Sequence, residues 1–226
     1  MSRGKLISDA YKSIDIEKHY SIKDAVEVLI KNKRKKFDET VEISMNLGID
    51  PRHADQMVRG SLSLPNGIGK NVKVAVFAKD KQAQEAISQG ADIVGAEDLA
   101  KKMEDGDTSY DRVIATPDMM GVVGKIAKVL GPKGLMPNPK MGTVSNDISE
   151  AVKLAKSGQI HYKAEKNGIV QAGVGKLSFG SDKICQNIES FVENIKKSKP
   201  SGSKGTFIKK ISISSTMGVS LNCEVN

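Results

Sequence analysis

The sequence predicts an α+β two-layer domain assembled from both chain ends, residues 1–66 and 159–226, interrupted by an inserted three-layer α/β domain, residues 67–158. Three observations predict it. Each flank carries amphipathic strands and one amphipathic helix, with an apolar face that nothing in the same flank covers. The middle alternates short apolar runs with helical patterns, which implies parallel βαβ units. Gly67, Gly69 and Gly158 stand at the two crossings, where a hinge needs backbone freedom. Three small consecutive domains are the alternative, but units of roughly 65 residues are marginal alone.

The elements follow in chain order. The charged start reads as a helix. Ser21 is a natural N-cap for SIKDAVEVLIKNKRKK, where Ile22, Ala25, Val26, Leu29 and Ile30 fall at helical spacing. TVEISMNLGID alternates, with Val41, Ile43, Met45 and Leu47 on one face of a half-buried strand. GIDPRHAD reads as a turn, and VRGSLSLP as a second strand ending at Pro65. In the middle, VKVAVFA is a buried strand, followed by a helix over 81–89. ADIV is a strand, AEDLAKKME a helix, DRVIAT a strand, and 118–130 one helix. A further helix is expected over 147–156, with Asp147 and Glu150 at capping-box spacing. Asn167-Gly168 between two alternating runs predicts a β-hairpin. Ile184, Ile188, Phe191, Val192 and Ile195 share one face of SDKICQNIESFVENIKK. The tail GVSLNCEV turns Val219, Leu221, Cys223 and Val225 the same way.

One segment fits neither pattern. LGPKGLMPNPKMGT, residues 130–143, contains Pro132, Pro137 and Pro139 with Gly131, Gly134 and Gly142. Proline fixes φ and removes a donor, so no long helix or central strand crosses it. It predicts a stiff, irregular loop projecting Lys133 and Lys140.

Composition narrows the function. Of 226 residues, 38% are hydrophobic, enough for a core. Aromatics are 4% and Trp is absent, so nucleic-acid binding would not rest on stacking platforms. The net charge of +8 suggests an anionic partner. Residues 1–66 carry +2 and 159–226 carry +5, while the insert carries only +1. Within the insert, 119–158 is +4. Cys185 and Cys223 lie in no C-x-x-C, and His19, His53 and His161 are scattered, so neither metal nor cofactor is expected. The thiols read as small apolar residues of a reducing, cytoplasmic compartment. The start has no apolar signal region, and no apolar run approaches the ~20 residues of a membrane span.

Enzyme chemistry is not legible. VKVAVFAKDKQAQ lacks the glycine-rich turn of a dinucleotide site. MGVVGKI lacks the first glycine of a phosphate loop, and Ile126 stands where Ser or Thr must bind magnesium. GPKG could suggest a G-x-x-G RNA clamp, but LMPNPK cannot form the helix that should follow it.

Cations and hydroxyls instead point to RNA. Lys31, Lys33, Arg34, Lys35 and Lys36 form the densest basic run. Lys163, Lys166 and Lys176 add to it, as do Lys199, Lys204, Lys209 and Lys210. Thr40, Ser178, Thr206, Ser212, Ser214 and Thr216 accompany them. Lysines neutralise phosphates, and small hydroxyls reach sugar and 2′-OH groups. Gly175 and Gly218 would let the main chain approach closely. Met217, in a polar turn, can lay a flexible thioether on a ribose or base face, and Phe37 reads as a contact or wall residue. Glu42 is expected to accept a bond from a base amine or 2′-OH, or to pair with a lysine.

These residues resemble the universal large-subunit ribosomal protein one family, bacterial type, the family of the mobile stalk. The resemblance rests on KFDETVEISMNLGIDPRHADQMVRG, GPKGLMPNPKMGT, KGTF and STMG. It implies a split two-domain fold with a Rossmann-like insert, no enzymatic activity, and a cytoplasmic ribosomal location. It implies that the flank domain binds the stalk helices of 23S rRNA. It further implies that the stalk helps deacylated tRNA leave the exit site, that the protein represses translation of its own operon mRNA, and that it is monomeric off the ribosome. The implied RNA-contacting segments fall on Lys36, Phe37, Thr40, Glu42, Lys163, Lys166, Lys176, Ser178, Thr216, Met217 and Gly218. Lys204, Thr206 and Ser212 join them on the reading of charge and hydroxyls. Lys133 and Lys140 are expected to face tRNA or the other domain. Two departures stand out: Val219 replaces the family's usual Pro, which is expected to soften the loop, and the N-terminus is less basic than in many relatives.

Overall fold

The computed structural model describes residues 5–12, 14–34, 37–53, 55–203 and 205–225, without the side chains of Lys5, Leu6, Asp80 and Lys140. The chain divides into two compact units, Met1–Gly69 with Ile160–Asn226, and Lys70–Gln159. The first begins with α1 (Lys5–Lys12), β1 (His19–Tyr20), α2 (Ile22–Lys31), β2 (Thr40–Leu47) and β3 (Arg59–Ser63). The second holds β4 (Val74–Phe77), α3 (Asp80–Ser88), β5 (Ile93–Gly95), α4 (Glu97–Glu104), β6 (Arg112–Ala115), α5 (Met120–Lys125), α6 (Ala127–Leu130) and α7 (Ile148–Lys156). The chain returns through β7 (Gln159–Lys163), β8 (Ile169–Lys176), α8 (Ser181–Lys197), β9 (Ile208–Ser215) and β10 (Ser220–Cys223).

In the first unit the sheet order is β1-β10-β9-β2-β8. β2 is central, antiparallel to β8 and to β9. Its alternation buries Val41, Ile43, Met45 and Leu47 against Ala25, Val26 and Leu29 of α2 and Ile184, Ile188, Phe191 and Ile195 of α8. Ser21 caps α2 by accepting from the Asp24 N–H at 3.2 Å. Both long helices therefore cover one face of the sheet. The other face carries Thr40, Glu42, Ser44 and Asn46 of β2, in register with Gln171 and Gly173 of β8 and with Ser212 and Ser214 of β9. A second, two-stranded sheet joins β3 to β7.

Asn187 of α8 is fully buried and saturated. Its amide donates to the carbonyls of Gly67 (3.0 Å) and Val174 (2.7 Å), and its oxygen accepts from the Asn66 N–H at 3.1 Å. A buried amide so satisfied ties the chain to the helix at the first crossing. Gly67, Gly69 and Gly158 all have positive φ, at 67°, 73° and 96°. At Gly69 a Cβ would also overlap the Phe179 ring.

The second unit contains a parallel sheet of order β5-β4-β6. The unbroken apolar run of β4 has a simple cause: both of its faces are covered. Ala75 and Phe77 join the cluster of α4, α5 and α6, while Val74 and Val76 join that of α3 and α7. Asp147 accepts from the Glu150 N–H at 3.1 Å and caps α7. Asp111 receives Lys70 Nζ at 2.6 Å and the Lys73 N–H at 3.0 Å. The hydrogen bond from Lys70 holds its carboxyl below the usual range, against a smaller opposing effect of burial.

Three expectations are corrected. The helix over 118–130 is broken into a 3₁₀ turn at Pro117–Met119, then α5 and α6, with Ile126 between them at φ −95°, ψ 10°. Gly121 and Gly124 weaken the helix, and Val123 and Leu130 are both buried on either side of the break. The Asn167-Gly168 turn forms, with the Glu165 N–H bonded to the Ile169 carbonyl at 2.9 Å. Its strands then part, β8 to the large sheet and β7 to β3, so no hairpin extends from it. Val225 is 42% exposed, because β10 ends at Cys223.

Candidate nucleic-acid interface

Those of the anticipated contact residues that the structure describes group at the two ends of β2 and on the outward face between them. Thr40 opens the strand and is the register partner of Lys176. Thr216 is locked to it: the Thr216 N–H donates to the Thr40 carbonyl at 3.1 Å, and the Thr40 N–H donates to Thr216 Oγ1 at 3.0 Å. Met217 and Gly218 complete the turn. Met217 is 45% exposed and Phe37 50%, unusual for large apolar side chains. A groove of about 960 Å³ runs past Phe37 and Met217, with Lys31, Lys33 and Arg34 along it.

Two residues expected as free contacts are engaged inside the protein. Lys176 Nζ donates to Thr40 Oγ1 at 2.8 Å and to the Asp38 carbonyl at 3.2 Å, and lies 5.8 Å from the Phe37 ring centroid. Ser178 donates its hydroxyl to Asp38 Oδ2 at 2.8 Å and its N–H to Oδ1 at 3.2 Å. Both thus shape the segment bearing Phe37.

Sequence reasoning missed Glu39, which is 1% exposed. Its carboxylate accepts from the Arg34 N–H (3.1 Å), Ser215 Oγ (2.6 Å) and the Met217 N–H (3.2 Å). The signal was available. Positions 39, 41, 43, 45 and 47 share one parity, so Glu39 continues the inward face of β2, whereas Glu42 points outward and is exposed.

At the other end of β2, Leu47 and Gly48 receive two loops. The Leu47 N–H donates to the Gly168 carbonyl at 2.8 Å, and the Gly48 N–H to the Phe207 carbonyl at 2.6 Å. These loops present Lys166 and Thr206, with Lys163 nearby on β7, and all three are exposed. A second groove, of about 1090 Å³, is lined by Arg52, Met57, Lys163 and Lys166. Eight strand residues put the two ends about 25 Å apart. Ser212, half-buried, lies between them and donates to Asn222 Oδ1 at 3.2 Å. Ser44, Asn46 and Gln171 extend the same polar face and were not anticipated. Their outward parity on β2 and β8 was the signal.

Lys36 and Lys204 lie outside the described residues, as does the Lys140 side chain. In the second unit, Lys133 is exposed but donates to the Thr108 hydroxyl. The Pro/Gly loop is anchored by Leu135 and Met136 against the core and by the Asn138 N–H on Thr143 Oγ1 at 2.7 Å. Residues 119–146 contain no Asp or Glu, only Lys125, Lys128, Lys133 and Lys140. Among the described residues no cluster of His, Cys, Asp or Glu is placed to hold a metal, and no helix is long and apolar enough to cross a membrane. The family model for the ribosomal protein L1p/L10e family matches residues 29–219.

Proposed function

The chain belongs to the ribosomal protein L1p/L10e family, and on that premise we propose that it binds the stalk helices of 23S rRNA through the outward face and turn of its first unit. The family is structural rather than enzymatic, and the protein is a constituent of the cytoplasmic ribosome. The finer reading rests on one observation above all. Phe37 and Met217 are half-exposed beside cations and hydroxyls at the end of a polar sheet face, an uncommon placement for two large apolar side chains. Lysines supply affinity for phosphates, and Thr, Ser, Asn and Gln side chains supply contacts to 2′-OH groups and base edges. In the same reading the stalk escorts deacylated tRNA from the exit site, with the acid-free stretch of the insert around Lys133 and Lys140 facing it. Gly67, Gly69 and Gly158 are the joints. The same RNA face represses the protein's own operon mRNA, and the protein is a monomer off the ribosome.

Filter binding of a 23S stalk fragment, the operon leader and a scrambled hairpin tests the reading. The first two are expected to bind tightly and the third weakly. Met217→Asp is expected to weaken stalk binding at least tenfold with an unchanged thermal midpoint. Equal binding of all three RNAs, or unchanged affinity of the variant, would refute it.

A further inference from the structure

We infer that Glu39 is a positioning residue for RNA recognition, a buried carboxylate that holds the Met217 peptide so that its side chain meets the ligand already ordered. The inference rests on the reading that this turn contacts RNA. An acid at 1% exposure is costly unless its oxygens are satisfied, and these are satisfied by three donors from two distant segments. Oε1 takes the Arg34 N–H at 3.1 Å, from the stretch after α2. Oε2 takes both Ser215 Oγ at 2.6 Å and the Met217 N–H at 3.2 Å. Arg34 Nη2 also reaches the Met217 carbonyl, at 3.5 Å. The Met217 backbone is therefore held at both its N–H and its C=O while the residue stays 45% exposed. The next residue is explained as well. A Cβ at Gly218 would overlap Ser215 Oγ and stand 3.7 Å from Glu39 Oε2, so the acid–hydroxyl pair leaves room only for glycine. A fixed turn removes the ordering cost that a mobile one would bring to binding.

Glu39→Gln is nearly isosteric and tests this atom by atom. Its amide offers one acceptor and one donor group, so it cannot accept from both Arg34 and Met217, and one N–H loses its partner. The experiment uses the full chain labelled with ¹³C-methyl methionine, and a 23S stalk fragment as probe. In the RNA-free variant the Met217 methyl is expected to shift and sharpen while buried Met45 in the same sheet is unmoved. Affinity is expected to fall about tenfold with an unchanged salt slope, because no phosphate contact is lost. A merely structural role would instead lower the melting temperature, leave the Met217 methyl in place and preserve the affinity of the folded fraction, which would overturn the clamp. Affinity within twofold of wild type would overturn it too. Should the variant not fold, Ser215→Ala removes the partner donor on Oε2 and is expected to move the Met217 methyl in the same direction, an unmoved signal and unchanged affinity being the contrary result. A wild-type chain that ignores the fragment overturns the RNA reading itself, whereas an unmoved methyl beside tight wild-type binding overturns only the clamp.

Discussion

Cys223 shows how burial governs chemistry at a single residue. Burial at the end of β10, with a smaller contribution from Glu224, pushes its thiol up to about 12. Burial raises Cys185 as well, against a weaker hydrogen bond from Ser181. Both are free and buried. Only the thiolate attacks, so a thiol pushed this high reacts slowly even where reagent can reach it. Ellman's reagent is expected to titrate neither thiol in the native protein within minutes, and both in guanidinium chloride. A rapid native reaction of one equivalent would contradict the burial assigned here. The same scale shows what a single sequence can and cannot disclose. Met217 and Phe37 were conspicuous because large apolar residues in a polar context need a reason. Glu39 was not, because three acidic residues, Asp38, Glu39 and Glu42, lie within five positions and composition treats them alike. Only strand parity separates them: Glu39 is inward and buried, Glu42 outward and exposed. Lys176 and Ser178 went unrecognised as internal partners of Asp38 and Thr40, since those bonds close across well over a hundred residues.

Elements were legible wherever one face is buried. β2, α2 and α8 follow their period-2 and 3.6 patterns closely, because a misplaced residue there would expose the core. Pairing was less legible. Asn167-Gly168 specifies a turn, but the partner of β7 is decided by β3, far away in sequence, and no local signal reports that competition. The break at Ile126 was hidden for a related reason: Met120, Val123 and Ile126 read as one helical face, and only the packing of the core shows the interruption. Gly121 and Gly124 make the weakness of α5 testable. A Cβ added at Gly124 meets nothing within 4 Å, and its φ is not positive. Gly124→Ala should then gain helix propensity with no clash, about 0.5–1 kcal/mol. A rise of about 2–8 °C in the midpoint of the insert's transition is expected by calorimetry. At Gly131 a Cβ would stand 2.8 Å from the Ala127 carbonyl oxygen, so the same replacement there is expected to lower the midpoint. A fall on Gly124→Ala would mean that the break at Ile126 depends on a soft α5 and that its packing is worth more than helix propensity.

Across the whole molecule the uneven distribution of charge sets how RNA must lie if it is to use every cation. The two flanks hold +7 of the net +8, and their lysines are not in one cluster. Lys31, Lys33 and Arg34 accompany the Met217 turn, while Lys163 and Lys166 stand with Thr206 beyond the far end of β2. A ligand touching both must run along the strand for about 25 Å, over Glu42, Ser44 and Ser212. A ligand confined to the Met217 end would leave the second groove empty. Counterion release distinguishes the two, since each neutralised phosphate contributes close to one unit to the slope of log K against log salt. Lys163 and Lys166 are exposed and make no ion pair among the described residues, so replacing both with Gln is expected to leave stability within about 0.5 kcal/mol. If RNA spans the sheet, the double variant should lower the slope for a stalk fragment by about one to two units and weaken binding most at low salt. Lys176→Gln serves as the contrast. Its ammonium is held by Thr40 and Asp38, so its loss acts through the order of the Phe37 segment and should weaken binding nearly equally at all salt concentrations. An unchanged slope in the double variant would confine the footprint to the turn, and the lysines at the far end would then have to answer to a different partner.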